Sequence, residues 1–137
     1  MGNGITHVFA QYGYHVTMID VSQEALDRGM ATISKNLERM VAREKISSLD
    51  RDMTLSRILT STQIETSVRD SALVIEAATE NADLKLKIFK GLNEFCRPEA
   101  ILATNTSSIS ITRIASVVDH PERVIGMHFM NPVPVMK

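Results

Sequence analysis

Apolar residues recur along this chain with two alternating periods. Ile5, Val8, Phe9 and Tyr12 fall on one helical face, and Gly13 stands where a helix C-cap belongs. The next run, residues 14–20, is apolar and β-branched and ends in Asp20, which predicts a strand closed by a carboxylate. Ser22 is a predicted N-cap, with Glu24 in the first turn of a long helix. Leu26, Met30, Ile33, Leu37 and Met40 recur on it at helical spacing, and Gly29 weakens it slightly. Residues 47–50 open a second helix carrying Met53 and, less regularly, Leu55 and Ile58. The charges on this helical hairpin read as a solvated face.

Regular alternation follows the hairpin. Residues 59–63 predict a strand, 65–70 a brief helix and 72–78 a strongly buried strand. Residues 81–95 predict an amphipathic helix with Leu84, Ile88, Leu92 and Phe95 on one face, ended by Arg97-Pro98. Residues 100–104 predict another buried strand, 109–117 a helix and 119–122 a loop. A last short strand through Val124 and Ile125 delivers His128, and Asn131, Pro132 and Pro134 then break the ladder. Strands alternating with helices imply a parallel α/β sheet with right-handed crossovers. No repeat or linker is present, so one domain is the economical organisation.

Three strand ends carry polar groups: residues 79–81, residues 105–108, and His128 with Asn131. In open α/β sheets ligands bind outside the carboxyl ends of the strands. His128 there is either a proton carrier or a residue capping a turn. Thr106 and Ser108 can equally cap the next helix, and Glu80 can favour a helix N-terminus. His7 on the flank of the first helix, His15 at a strand start and His120 in a loop carry no such placement.

Gly2 and Asp20 add a second possibility. Helix, glycine turn, strand and acid make the second half of a dinucleotide-binding unit, in which the acid takes a ribose 2′-hydroxyl about 20 residues after the glycines. Gly2 would be the last glycine of a fingerprint whose earlier part precedes Met1. The alternative is a flexible helix start and a turn aspartate.

Composition narrows the classes. The 137 residues are 44% hydrophobic and 23% charged, with a formal net charge of −1. No basic stripe points to nucleic acid or an anionic membrane, and no apolar run approaches the roughly 20 residues of a membrane helix. Cys96 is the single cysteine, so no internal disulfide forms and a reducing compartment fits. Eight scattered methionines read as core filling. No residue set suggests a metal site.

The pairing of Ala-Thr-Asn-Thr-Ser-Ser-Ile-Ser (103–110) with Gly-Met-His-Phe-Met-Asn-Pro-Val-Pro-Val-Met-Lys (126–137) resembles the L-3-hydroxyacyl-CoA dehydrogenases, including the bacterial 3-hydroxybutyryl-CoA dehydrogenases. Met-Gly-Asn-Gly-Ile at the start is similar to the tail of that family's glycine fingerprint, and the hairpin matches a family insertion. The resemblance implies a Rossmann-like, doubly wound parallel sheet with a helical hairpin insertion and its first strand missing. Residues 1–137 would form a partial NAD-binding domain, without the helical domain that dimerises and closes over the acyl chain.

The implied activity is NAD-dependent interconversion of L-3-hydroxyacyl-CoA and 3-oxoacyl-CoA in fatty-acid or butanoate metabolism. His128 would be the base, with Ser107 and Asn131 hydrogen-bonding substrate or cofactor near the reacting carbon. Gly2, Asp20, Glu80, Lys85, Asn105 and Ser107 would line the cofactor. Asn36 and Arg43 stand where the family has a Ser and a Lys near coenzyme A, so they depart from its pattern. The glutamate that orients the histidine would lie beyond Lys137. The complete protein would be a homodimer acting on acyl-CoA in the cytoplasm, a location favoured over the mitochondrial matrix. Two other readings stand beside this one: a silent binding module on the same fold, and a related dehydrogenase for another hydroxy acid.

Overall fold

The computed structural model of the protein describes residues 1–135; Met136 and Lys137, the end of the second motif, lie outside the described residues. Its contacts divide into two compact units, residues 1–63 with 130–137, and residues 64–129.

The first unit is built on α1 (Gly2–Gln11), β1 (Val16–Ile19), α2 (Gln23–Ala42), α3 (Ser48–Ser56) and β2 (Ile58–Ser61). β1 and β2 pair in parallel, Val16 opposite Ile58 and Ile19 opposite Ser61. Ala10, Met18, Leu26, Ile33, Leu37 and Ile58 form the core, with Met30 and Met40 packed against it, so the stripe expected on α2 is the stripe that is buried. Ser22 caps α2 by accepting the Ala25 N–H, and Ser47 with Asp50 closes a capping box on α3.

The face expected on α1 holds at Ile5 and is corrected elsewhere. Ile5, Thr6, His7 and Ala10 are buried, whereas Tyr12 is 78% exposed. This helix packs against α2, α3, β1 and the 3-10 turn Val133–Val135, and a helix touched from several sides buries more than one stripe. Ile58, expected on the second helix of the hairpin, instead starts β2.

Both helix ends before a turn use the same device. In α1 the Tyr14 N–H reaches Phe9 O and the Gly13 N–H reaches Ala10 O; in α2 Lys45 reaches Met40 O and Glu44 reaches Val41 O. Each is a Schellman motif with a left-handed residue, Gly13 at φ 100° and Glu44 at φ 57°. Only the second carries a Cβ in that region, which costs roughly 1–2 kcal/mol. Glu44→Gly should therefore raise stability by about 1 kcal/mol, after the entropy glycine adds to the unfolded chain. Urea unfolding of the two proteins measures it; a lower midpoint for the glycine variant would refute the strain.

The second unit holds α4 (Ile64–Ser67), β3 (Leu73–Glu76), α5 (Ala82–Phe95), β4 (Ile101–Thr104), α6 (Ile111–Ala115) and β5 (Val124–Gly126). Its three strands are parallel in the order β3-β4-β5. Asn81 caps α5 by accepting the Leu84 N–H. The buried face of α5 is Lys85, Phe89 and Leu92: Leu92 is buried as expected, but Lys85 and Phe89 take the inward places expected of Leu84 and Ile88, and Leu84 is 39% exposed. The cause is an inward ion pair of Lys85. Among the described strands, β1 pairs only with β2, and β3 only with β4.

Candidate active site

Parallel strands deliver their carboxyl ends to one edge. In the second unit Glu76 lies opposite Thr104 in the β3–β4 ladder, and Thr104 opposite Gly126 in the β4–β5 ladder. The segments that leave this edge contain Glu80, Asn105, Ser107, Ser108 and His128.

The end of β4 fastens the backbone on both sides of His128. Thr104 O accepts the Met127 N–H at 2.9 Å. Asn105 Oδ1 accepts the Phe129 N–H at 2.6 Å. The His128 ring itself is exposed, as is Ser107. A ring held by its backbone and open to solvent suits a group that must meet a substrate proton.

Glu80 sits at the same edge as a prepared acceptor. Its Oε2 accepts the hydroxyls of Thr106 at 2.7 Å and Ser108 at 2.6 Å. Those hydroxyls, then the nearby Lys85 ammonium, hold its carboxyl below the ordinary range. Thr106 Oγ1 also accepts the Ile109 N–H at 3.1 Å, which closes the turn carrying Ser107.

Lys85, expected along the cofactor, lies fully inside the unit, its ammonium 2.7 Å from Glu76 Oε2 and 3.5 Å from Glu80 Oε1. Glu76 was not singled out from the sequence. A signal existed: a carboxylate inside the apolar run 72–78 must find a partner once buried.

The first unit holds Gly2, Asp20 and Asn131. No side chain caps the N-terminus of the ten-residue α1, and a Cβ added at Gly2 would meet nothing within 4 Å. A helix N-terminus that begins on a glycine is the kind of place where a pyrophosphate binds. Asp20 follows β1, is exposed, and uses Oδ1 to accept the Ser22 N–H at 2.9 Å. That turn feeds directly into the cap of α2 and presents the carboxylate outward, as a ribose acceptor requires.

Asn131 lines a cavity of about 130 Å³ together with Asn3, His7 and Asn36. Arg43 is exposed at the C-cap of α2. The carboxamide of Gln11 lies 3.1 Å from His7 Nε2, and burial pushes the pKa of the ring down. Gly4, also missed in the sequence, permits a close approach: a Cβ there would come within 2.9 Å of Val133 Cβ. Among the described residues no group of three or more His, Cys, Asp or Glu is placed to hold a metal, and no helix is long and apolar enough to cross a membrane.

Residues 1–137 match the family described as 3-hydroxyacyl-CoA dehydrogenase, NAD binding domain. The chain is 49% identical over its whole length to a 3-hydroxybutyryl-CoA dehydrogenase of Bradyrhizobium diazoefficiens, covering 46% of that protein. The crystal structure of a 3-hydroxybutyryl-CoA dehydrogenase from Escherichia coli K12 matches all of the chain at TM-score 0.97 and 45% identity, over 29% of its own length. The (S)-3-hydroxybutyryl-CoA dehydrogenase PaaH1 of Ralstonia eutropha matches 99% of the chain at TM-score 0.95 and 46% identity, over 48% of its length. The chain thus spans about half the length of the curated relatives it matches. The fold is Rossmann-like α/β with parallel sheets, and the chain belongs to the 3-hydroxyacyl-CoA dehydrogenase family, within its NAD-binding domain.

Proposed function

We propose that the complete protein interconverts L-3-hydroxyacyl-CoA and 3-oxoacyl-CoA with NAD, with a four-carbon acyl group among its substrates. The observation that carries this reading is His128, exposed at the strand edge with the backbone on both sides tied to the end of β4. NAD, when bound, supplies the hydride acceptor for C3. His128 takes the proton from the 3-hydroxyl in oxidation and returns it in reduction. Ser107 and Asn131 each hydrogen-bond substrate or cofactor near that carbon. The N-terminus of α1 at Gly2 takes the pyrophosphate, and Asp20 the adenosine ribose. Glu80, with Asn105 and Ser107, lies along the rest of the cofactor. Lys85 acts from behind Glu80.

The chain is the partial NAD-binding domain of a cytoplasmic homodimer, completed by a C-terminal helical dimerisation domain. The bacterial 3-hydroxybutyryl-CoA dehydrogenases among its relatives support the substrate.

Ser107→Ala in the complete protein tests the assignment at low cost to folding, because the side chain is exposed. Losing one hydrogen bond to a charge-developing group is worth roughly 1.5–3 kcal/mol, so kcat/KM should fall by about ten- to a hundredfold. Steady-state kinetics with L-3-hydroxybutyryl-CoA measures it. An unchanged kcat/KM would remove Ser107 from the site.

A further inference from the structure

One buried pair of charges lies behind the proposed cofactor site. Glu76 ends β3 at 6% exposure, and Lys85 lies in the first turns of α5 at 0%. Their charged atoms are 2.7 Å apart. The remaining positions on Glu76 are filled too: Oε2 also accepts the Ala78 N–H at 2.6 Å, and Oε1 accepts the Thr104 hydroxyl at 2.8 Å. Lys85 Nζ donates a second bond to Ala78 O at 3.1 Å and stands 3.5 Å from Glu80 Oε1.

Such a pair is a weak source of stability. Two charges lose their hydration on burial, and apolar replacements of similar volume are often neutral or stabilising. An apolar pair could not do what this one does to the chain between β3 and α5. Both polar backbone atoms of Ala78 are clamped, one by each partner. That fixes the turn two residues before Glu80. The ammonium also faces one oxygen of Glu80, while two hydroxyls hold the other. Glu80 is thereby anionic and aimed before any ligand arrives.

We propose that Glu76 is a positioning residue for cofactor binding: acting through Lys85 and the Ala78 backbone, it orients Glu80 without touching the cofactor. This rests on the reading that Glu80 meets the cofactor. The chemistry fits hydroxyl donors, since Glu80 already accepts two hydroxyls, and the ribose hydroxyls of a dinucleotide are of that kind. The pair therefore sets how tightly the dinucleotide binds, and leaves the proton transfer at His128 alone.

The test uses the complete enzyme, with NADH affinity from its fluorescence, kcat at saturating NAD, and thermal unfolding. Glu80→Gln should weaken NADH binding by tenfold or more, as loss of a charged hydrogen bond does. Glu76→Gln should weaken it by about tenfold while kcat at saturation stays within about threefold. The double variant Glu76→Leu/Lys85→Met separates fold from positioning. It removes both buried charges together, so it should be more stable than Glu76→Gln, and it should keep the weakened affinity. Wild-type affinity in the double variant would make the pair purely structural and overturn the proposal. So would wild-type affinity in Glu76→Gln while Glu80→Gln is impaired. If Glu80→Gln binds NADH normally, the cofactor reading of Glu80 falls, and with it the proposal that acts through it.

Discussion

Replacing His128 with glutamine in the complete protein should lower turnover by about 10²–10⁴-fold, the usual worth of a general base. NADH affinity should stay within about threefold, because the loss falls on the transition state and not on ground-state binding. The argument is geometric. The residues before and after His128 are each tied to the end of β4, by Met127 N–H to Thr104 O and by Phe129 N–H to Asn105 Oδ1. Neither tie uses the His128 side chain, so the substitution removes a proton acceptor and leaves the loop fastened. Near-full turnover in His128→Gln would make His128 a turn residue only.

The second large effect is expected at Asp20. The complete protein should prefer NAD to NADP, and Asp20→Ser should erase most of that preference. An exposed carboxylate at the end of β1 accepts from a 2′-hydroxyl and repels a 2′-phosphate. Loss of that charged hydrogen bond costs roughly 1.5–3 kcal/mol, or about ten- to a hundredfold in kcat/KM with NAD. Because Asp20 also accepts the Ser22 N–H, serine keeps a short acceptor for the turn before α2. Comparing kcat/KM for both cofactors in both proteins decides it. An NADP preference in the parent would remove Asp20 from this role.

The carboxyl ends of the strands were legible because polar residues follow apolar runs there. So were the caps at Ser22 and Gly13 and the stripe on α2. Two helix faces were not. On α5, apolar spacing pointed to Leu84, but the position that turns inward is Lys85, drawn by Glu76 nine residues earlier. A search for apolar periodicity passes over a buried lysine by construction. On α1, the count of apolar residues favoured Tyr12, while the helix buries Thr6, His7 and Ala10 against several neighbours. The positions of His128 and Glu80 just after strands were legible too. The hold that Asn105 has on Phe129 spans 24 positions and is a product of the fold. Asn105 was expected beside the cofactor; the structure shows its side chain tying down the backbone at Phe129.

The most direct measurement is the rate of NADH formation when the complete protein is given NAD and L-3-hydroxybutyryl-CoA, with free L-3-hydroxybutyrate and another hydroxy acid, such as a sugar acid, as comparisons. The expected result is enzymatic turnover, about 1 s⁻¹ or faster, with the CoA ester and none of comparable efficiency with the free acids. Tight NAD binding with no NADH from any 3-hydroxyacyl-CoA would contradict the dehydrogenase reading and favour a silent binding module. Faster turnover of a free hydroxy acid would place the chain with a different substrate.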